Sequence, residues 1–135
     1  MTETVLLLLQ LSIWTGALSE GQCMPVRVDG KESMEMRLEG NLQPGEFRSA
    51  RAELPVDLFR ALRIDARRLM PDPATGFPEF LNLSLQLRES GALVSNCQFS
   101  PRLQVGPITP LACSVVSGQS CWGVTLQARV TQALP

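Results

Sequence analysis

The chain of 135 residues contains no histidine and no tyrosine. Histidine is the usual proton-transfer group near neutral pH, so general acid and base chemistry would fall to carboxylates or to Lys31, the single lysine. The sequence also lacks a nucleophile elbow, a glycine-rich phosphate loop followed by lysine, and a cluster of metal-ligating residues. We therefore expect no enzyme activity, no catalytic residue, no bound metal and no cofactor.

An excess of charge of either sign is also missing. The 13 acidic and 12 basic residues give a net charge of −1, and removal of a leader containing Glu3 would leave 13 − 1 = 12 acidic against 12 basic residues. Nucleic acids and anionic membranes select for a strong positive excess. We therefore expect neither of them as a partner. The preference for arginine over lysine suits protein interfaces, although a GC-rich coding sequence gives the same bias.

An apolar run fills the N-terminus. It extends from Val5 to Trp14, and small residues follow it, with Ala17 and Ser19 in the arrangement that signal peptidase accepts before Glu20. The run is too short for a membrane-spanning helix, which needs about 20 residues. This pattern predicts a cleavable signal peptide.

The boundaries follow from that cleavage site. We predict a signal peptide at residues 1–19 and a single secreted, extracellular domain at residues 20–135, with no membrane insertion of the mature chain. One observation opposes a signal peptide, because Glu3 precedes the run and no lysine or arginine does. The alternative is a buried N-terminal helix in a cytosolic protein.

Four cysteines follow the apolar run, namely Cys23, Cys97, Cys113 and Cys121. An even number of cysteines in a small secreted domain predicts two disulfides. We favour the pairs Cys113–Cys121 and Cys23–Cys97, because the segment before Cys121 contains Gly118 and is short enough to form a tight loop. The rival pairs are Cys97–Cys113 and Cys23–Cys121. A zinc site fits poorly without histidine or a closely spaced cysteine pair.

Alternation of apolar and polar residues with a period of two dominates the rest of the chain. The strongest case is 80–88, where four leucines fall on one face and polar residues on the other. This is the pattern of a strand with one buried side. Alternation also predicts strands at 34–39 and 124–131, and weaker ones at 25–28, 46–53, 91–99 and 102–105.

Turn residues separate these segments. Asp29-Gly30 predicts a hairpin, and the proline-rich stretch Pro71–Pro78 predicts an irregular connection. Helical spacing after Pro55 predicts a short helix from Pro55 to about Ala61, followed by a strand to about Leu69. The fold class we predict is mainly β, an antiparallel β-sandwich of about seven strands with one short helix and two disulfides.

Asn82-Leu83-Ser84 is the one N-glycosylation sequon of the sequence. The alternation that buries Leu83 turns Asn82 toward solvent, where a glycan has room. We therefore expect Asn82 to carry a glycan, and the opposing interpretation is an unmodified polar residue on a solvent face.

Two groups of residues are candidates for partner binding. Clustered arginines offer paired donors to planar anions, and an aromatic pair flanks Pro78 beside the proline-rich loop. The same residues also fit a solvated strand face and the closed end of a core. The candidates are Arg60, Arg63, Arg67, Arg68, Phe77 and Phe80.

Trp122 directly follows Cys121. An indole beside a disulfide usually packs into the core of a small domain, and we expect this of Trp122. The alternative is an exposed binding anchor.

The function we predict is that of a secreted, N-glycosylated extracellular binding module. It would act through protein–protein interaction with an extracellular or membrane-bound protein, as a ligand, a receptor-ectodomain-like domain or an accessory subunit. Contacts are expected in loops, especially Pro71–Pro78 and Gly106–Cys113. The alternative is a carrier of lipid or another small apolar ligand, with Met34, Met36 and Met70 lining a cavity between the sheets. A shortened form of a membrane-anchored protein fits the same sequence.

Overall fold

The computed structural model describes residues 4–40, 46–69 and 80–132, and within these ranges the chain forms strands and turns without a helix. No helix able to cross a membrane is found in this part of the chain. The strands of the described ranges are β1 (Val5–Ser19), β2 (Gln22–Leu38), β3 (Phe47–Pro55), β4 (Arg60–Leu69), β5 (Phe80–Glu89), β6 (Ala92–Phe99), β7 (Gly106–Pro107), β8 (Leu111–Ser117) and β9 (Ser120–Gln132).

The strands form two antiparallel sheets. The first has the order β2-β1-β9-β7, with β8 also paired to β9, and the second has the order β3-β4-β5-β6. Alternate side chains of both sheets meet in one hydrophobic cluster between them. In β5, for example, Leu81, Leu83, Leu85 and Leu87 are fully buried. The predicted antiparallel sandwich is confirmed.

The predicted short helix is wrong. Residues up to Pro55 are extended in β3, and the next strand already begins at Arg60. Between them the amides of Val56 and Asp57 both donate to the carbonyl of Arg60, at N–O distances of 2.9 and 3.2 Å. The pairing of β4 with β3 and β5 outweighs the helical spacing of the apolar residues, which is a weak local preference.

The predicted hairpin at Asp29-Gly30 is also wrong. Both flanking segments belong to β2, which pairs with β1 throughout, and the register shifts between Ile13 and Trp14, opposite Asp29. The turn chemistry of Asp29-Gly30 therefore produces a bulge inside one long strand. The weak strand predicted at 102–105 is reduced to an isolated bridge at Arg102.

The N-terminal apolar run forms β1 in this structure. It lies in the middle of its sheet, paired with β2 on one side and β9 on the other. Leu7, Leu9, Leu11 and Ile13 point into the core and are between 0 and 4% exposed. The run is therefore a strand. The alternative interpretation, that of a cytosolic protein, predicted a buried helix for these residues.

All four cysteines form disulfides, so the predicted number of two bonds is confirmed. The bonds join Cys23 to Cys121 and Cys97 to Cys113. These are the rival pairs, so the favoured pairing is wrong. The first bond links β2 to β9, and the second links β8 of one sheet to β6 of the other.

The favoured pairing fails because the two cysteines of the β8–β9 hairpin face opposite sides of the sheet. Cys113 pairs in register with Val124, which is buried in the core, whereas Cys121 pairs with Val116, which is half exposed. Neighbouring strands alternate their side chains in step. Cys113 therefore reaches Cys97 across the sandwich and cannot reach Cys121.

The bond between Cys23 and Cys121 passes over the central strand at Gly16. A Cβ atom at Gly16 would lie 2.5 Å from the carbonyl oxygen of Met24, 2.8 Å from Sγ of Cys23 and 3.1 Å from Sγ of Cys121. A side chain has no room at this position. Glycine lets the disulfide and β2 approach the backbone of β1.

Gly16→Ala is therefore expected to destabilise the domain. The added methyl overpacks a backbone oxygen and a covalent bridge, which costs about 1 to 3 kcal/mol and should lower Tm by at least about 4 °C. Gly30→Ala is the matched control, because a Cβ at Gly30 would meet nothing within 4 Å. Thermal unfolding followed by circular dichroism measures both variants, and equal Tm values for the two would contradict this packing.

Candidate binding site

The arginine cluster of β4 is divided among three places, because successive residues of a strand face opposite sides of the sheet. Arg63 and Arg67 lie on the outer face, where Arg63 is near Asp65 and Arg67 lies over the ring of Phe47, with 4.6 Å from Cζ to the ring centroid. Arg60 lies at the end of the sandwich. The structure does not bring the four guanidinium groups together as a single basic patch.

Arg68 is buried inside the sandwich with 3% of its surface exposed. Its Nη1 donates to the carbonyl oxygens of Leu38 and Glu39, at 3.4 and 3.3 Å. These carbonyls end β2, so Arg68 ties the second sheet to the edge of the first. Arg68 therefore stabilises the contact between the sheets and does not contribute to an exposed binding surface.

Of the two candidate aromatic residues, Phe77 and Phe80, only Phe80 belongs to the described part of the chain. Phe77 and the loop Pro71–Pro78 lie outside the described residues, and Phe80 is the first residue of β5. The other predicted contact loop, Gly106–Cys113, contains β7 and the start of β8, both paired with β9.

Asn82 lies on the outer face of the second sheet, opposite Arg67 in register. It lines a shallow groove of about 320 Å³ across this face. The groove is polar, with an ion pair between Nε of Arg51 and Oδ1 of Asp65 at 2.8 Å. Its other lining residues are Ser49, Ala50, Ala66, Ser84 and Gln98.

A second cleft lies at the end of the sandwich where the β3–β4 turn meets the β5–β6 hairpin and the start of β9. It encloses about 350 Å³, and we call it the Trp122 cleft. Its lining residues are Thr15, Phe59, Arg60, Glu89, Ser90, Ser120, Cys121 and Trp122.

Trp122 forms the inner wall of this cleft. Its ring belongs to the core and the residue is 5% exposed, so the predicted core position is confirmed. Its Nε1 donates to Oε1 of Glu89 at 2.6 Å. A buried indole needs such a partner for its N–H group, and Glu89 provides it from the end of β5.

Arg60 crosses the cleft above the indole, with Cζ 5.2 Å from the ring centroid of Trp122. The guanidinium also forms ion pairs with two carboxylates, with Nε at 2.8 Å from Oδ2 of Asp57 and Nη1 at 3.3 Å from Oδ2 of Asp29. Cation–π contact and two ion pairs fix the position of this cation. Arg60 is therefore held in a defined geometry.

The β3–β4 turn is held rigidly beside the cleft. Oδ1 of Asp57 accepts hydrogen bonds from the amides of Phe59 and Arg60 at 2.9 and 2.7 Å. The carbonyl of Phe59 accepts a hydrogen bond from the amide of Ser90 at 2.6 Å, which joins the turn to the β5–β6 hairpin. The backbone of the turn is therefore anchored on both sides.

Two large apolar side chains project from this anchored turn. Leu58 is 95% exposed and Phe59 is 68% exposed. Both residues lie within the helix predicted from Pro55 to about Ala61, and that prediction did not indicate their exposure. Asp57 gave no decisive signal, since an aspartate that accepts from the amides two and three residues later occurs both in an Asx turn and at a helix N-cap.

The chemistry of this site suits binding. The site offers a fixed cation, a wall formed by an indole, and two apolar side chains on a rigid turn. Its carboxylates Asp29 and Asp57 are engaged by Arg60, and Glu89 accepts from Trp122. Over the described ranges, no three potential ligands come together in a group that could hold a metal ion.

Comparison with known proteins returns no match, whether to family models, to curated proteins or to solved structures.

The carboxylates around Arg60 predict a loss of stability in acid. Hydrogen bonds from Thr15 and then Arg27 lower the pKa of Asp29 below its ordinary value of 3.8, with Arg60 adding to them. The pKa of Asp57 is lowered by the amide of Phe59 and then by Arg60. A lowered pKa means that the folded state prefers the charged form, so this stabilisation is complete above the unfolded-state pKa and disappears as pH falls through the folded-state pKa.

We therefore expect Tm to decrease below about pH 4. The double variant Asp29→Asn with Asp57→Asn should have a lower Tm at pH 7 and a weaker dependence on pH below 4, because it lacks these two titrating groups. Thermal unfolding from pH 7 to pH 2 gives both profiles. Parallel acid profiles for the two proteins would show that these carboxylates do not contribute.

Proposed function

We propose that this chain is a secreted, N-glycosylated extracellular domain that binds another protein, and that the Trp122 cleft and the adjoining Leu58–Phe59 tip are its contact surface. The observation that carries this proposal is the exposure of Leu58 and Phe59 on a turn whose backbone is hydrogen-bonded in place. The partner class is an extracellular or membrane-bound protein.

The two disulfides support the extracellular location. One spans 98 residues between β2 and β9, and the other joins the two sheets. Such bonds persist in oxidising compartments and are rare in the reducing cytosol. No free cysteine is found in the described residues, so the arrangement of the thiols agrees with oxidative folding.

The composition of the contact surface supports binding to a protein. Aromatic residues and arginine are enriched at protein interfaces. Phe59 and Arg60 provide both, and Leu58 adds exposed apolar surface beside them. Anchoring of the turn reduces the conformational entropy that binding costs. An apolar tip that is both exposed and rigid is suited to insertion into a pocket of a partner.

The interior of the sandwich favours a binding module over a lipid carrier. The inward side chains of both sheets form one packed cluster, and Met36, which was expected to line a cavity, is 4% exposed within it. Met34 packs against the same cluster, and Met70 lies outside the described residues. No feature of the described core favours the carrier.

Substitution of the tip tests the proposed contact surface. Leu58→Ser combined with Phe59→Ser should weaken binding about tenfold or more, because loss of a buried apolar anchor costs roughly 2 kcal/mol or more. The probe is the purified domain as a fluorescent tetramer, applied to cells that each display one membrane or secreted protein. Binding to each identified partner is then measured by surface plasmon resonance.

Val105→Ser is the matched control, because Val105 is 65% exposed outside the cleft. We expect this variant to bind like the unchanged domain. The proposal fails if no displayed protein binds the tetramer, or if the tip variant binds a partner as tightly as the Val105 variant does.

The second part of the proposal, a glycan at Asn82, fits the geometry of β5. Asn82 and Glu89 lie seven residues apart on this strand, a separation of about 23 Å at the usual rise per residue. A glycan in the groove of the outer face therefore leaves the Trp122 cleft accessible.

Two substitutions of the sequon test this modification. Ser84→Ala removes the hydroxyl that the sequon requires and should abolish the glycan at Asn82, whereas Ser84→Thr keeps the sequon and should retain it. The measurement is the mass of protein collected from mammalian culture medium, before and after enzymatic removal of N-glycans. An unchanged mass of the unsubstituted protein after this treatment would exclude a glycan at Asn82.

A further inference from the structure

We infer that Val5–Ser19 remains in the working protein as the central strand of the first sheet, and that Thr15 on this strand positions Arg60 in the Trp122 cleft. The apolar run therefore acts as part of the domain and is not discarded by cleavage after Ser19. The proposed extracellular location then rests on the two disulfides and not on a cleaved leader at residues 1–19. The role of Thr15 rests on the proposed function, whereas retention of the strand rests on packing alone.

Pairing on both sides is the first observation. β1 is paired from Val5 to Ser19 with β2, and from Val5 to Ala17 with β9. Without β1, the facing backbone groups of β2 and β9 lose their partners, and unpaired backbone groups are costly when buried. The core would also lose an entire row of leucines from one sheet.

The fit between Trp14 and Gly123 is the second observation. A Cβ atom at Gly123 would lie 2.5 Å from Cζ2 of the indole, so the ring of Trp14 lies directly on the backbone of β9. Its Nε1 donates to Oγ1 of Thr125 at 3.0 Å, and the residue is 5% exposed. Gly123 leaves space for the indole of Trp14, and Thr125 accepts its hydrogen bond. Cleavage after Ser19 would remove this indole.

Gly16 provides the third observation, from the same segment. It is the position that the Cys23–Cys121 disulfide crosses, with no room for a side chain. A hydrophobic signal sequence requires apolar character but no such fit to distant parts of the chain. Trp14 and Gly16 of this segment therefore fit specific features of β2 and β9.

The bond that signal peptidase would cut lies beside a tight turn. Ser19 pairs with Gln22, and the two residues between them, Glu20 and Gly21, have φ angles of 53° and 79°. Two consecutive residues with positive φ are the mark of a two-residue hairpin turn. The small residues that resemble a cleavage motif therefore also form the β1–β2 hairpin.

Thr15 connects this strand to the proposed site. Its Oγ1 donates to Oδ2 of Asp29, and the same oxygen lies 3.3 Å from Nη1 of Arg60. Arg27 contacts the other oxygen of Asp29 at 2.8 Å. Thr15 thereby orients the carboxylate that holds Arg60 over Trp122, and it is itself part of the cleft lining.

Expression behind the same heterologous leader tests whether the domain requires this strand. One protein starts at Thr2 and the other at Glu20, and both are collected from the culture medium. We expect the longer chain to unfold cooperatively with both disulfides in the observed pairing. The shorter chain should lose cooperative unfolding. Equal Tm and identical disulfide pairing in the shorter chain would overturn the inference.

A coupling experiment in the full chain separates packing from a general failure to fold. Gly123→Ala should lower Tm, and Trp14→Ala should partly relieve this loss, because the indole is the group that the new methyl would approach most closely. The carbonyl of Cys113, at 2.6 Å, limits the relief. Strictly additive changes in Tm would show that Trp14 does not lie on Gly123.

The role of Thr15 has its own readout. Thr15→Val should raise the pKa of Asp29 in an NMR titration and weaken partner binding, and Thr15→Ser, which keeps the hydroxyl, should restore both. An unchanged titration of Asp29 in Thr15→Val would overturn this role. If the titration shifts but binding does not, the positioning stands and the proposed contact surface fails.

Discussion

The structure depends on the pairing of β1 between β2 and β9. Each inward side chain of this strand covers the core, and each backbone group faces a neighbour on one side or the other. The Cys23–Cys121 bond then crosses the strand where Gly16 leaves space. This bond covalently links β2 and β9, the two strands that flank β1. It therefore stabilises the pairing of both strands with β1.

The geometry of the Trp122 cleft, at the end of the sandwich, depends on this pairing. Asp29 lies at the bulge of β2 and accepts from Thr15 of β1, so the centre of the first sheet determines where its carboxylate points. Arg60 comes from the second sheet and lies between that carboxylate and Trp122. A chain of contacts thus joins both sheets at the site where the exposed Leu58–Phe59 turn is attached.

Local alternation is sufficient to recognise the strands but not their neighbours. The leucines of β5 and the alternation of β9 were predicted with the correct inward faces, because the faces of a strand depend only on its own sequence. The prediction of a helix after Pro55 was wrong, because the pairing of β4 with β3 and β5 outweighs the helical spacing of the apolar residues. Local sequence does not reveal this pairing. The exposure of Leu58 and Phe59 was missed for the same reason.

The sequence by itself determined the mainly β character, the formation of two disulfides, the outward position of Asn82 and the core position of Trp122. These properties follow from residue type and from a period of two. Only the tertiary structure decided which cysteines pair, that the arginines of β4 separate, and that the N-terminal apolar run is a central strand. Those outcomes depend on which strands become neighbours and which face each side chain takes there, and such contacts join residues far apart in the chain.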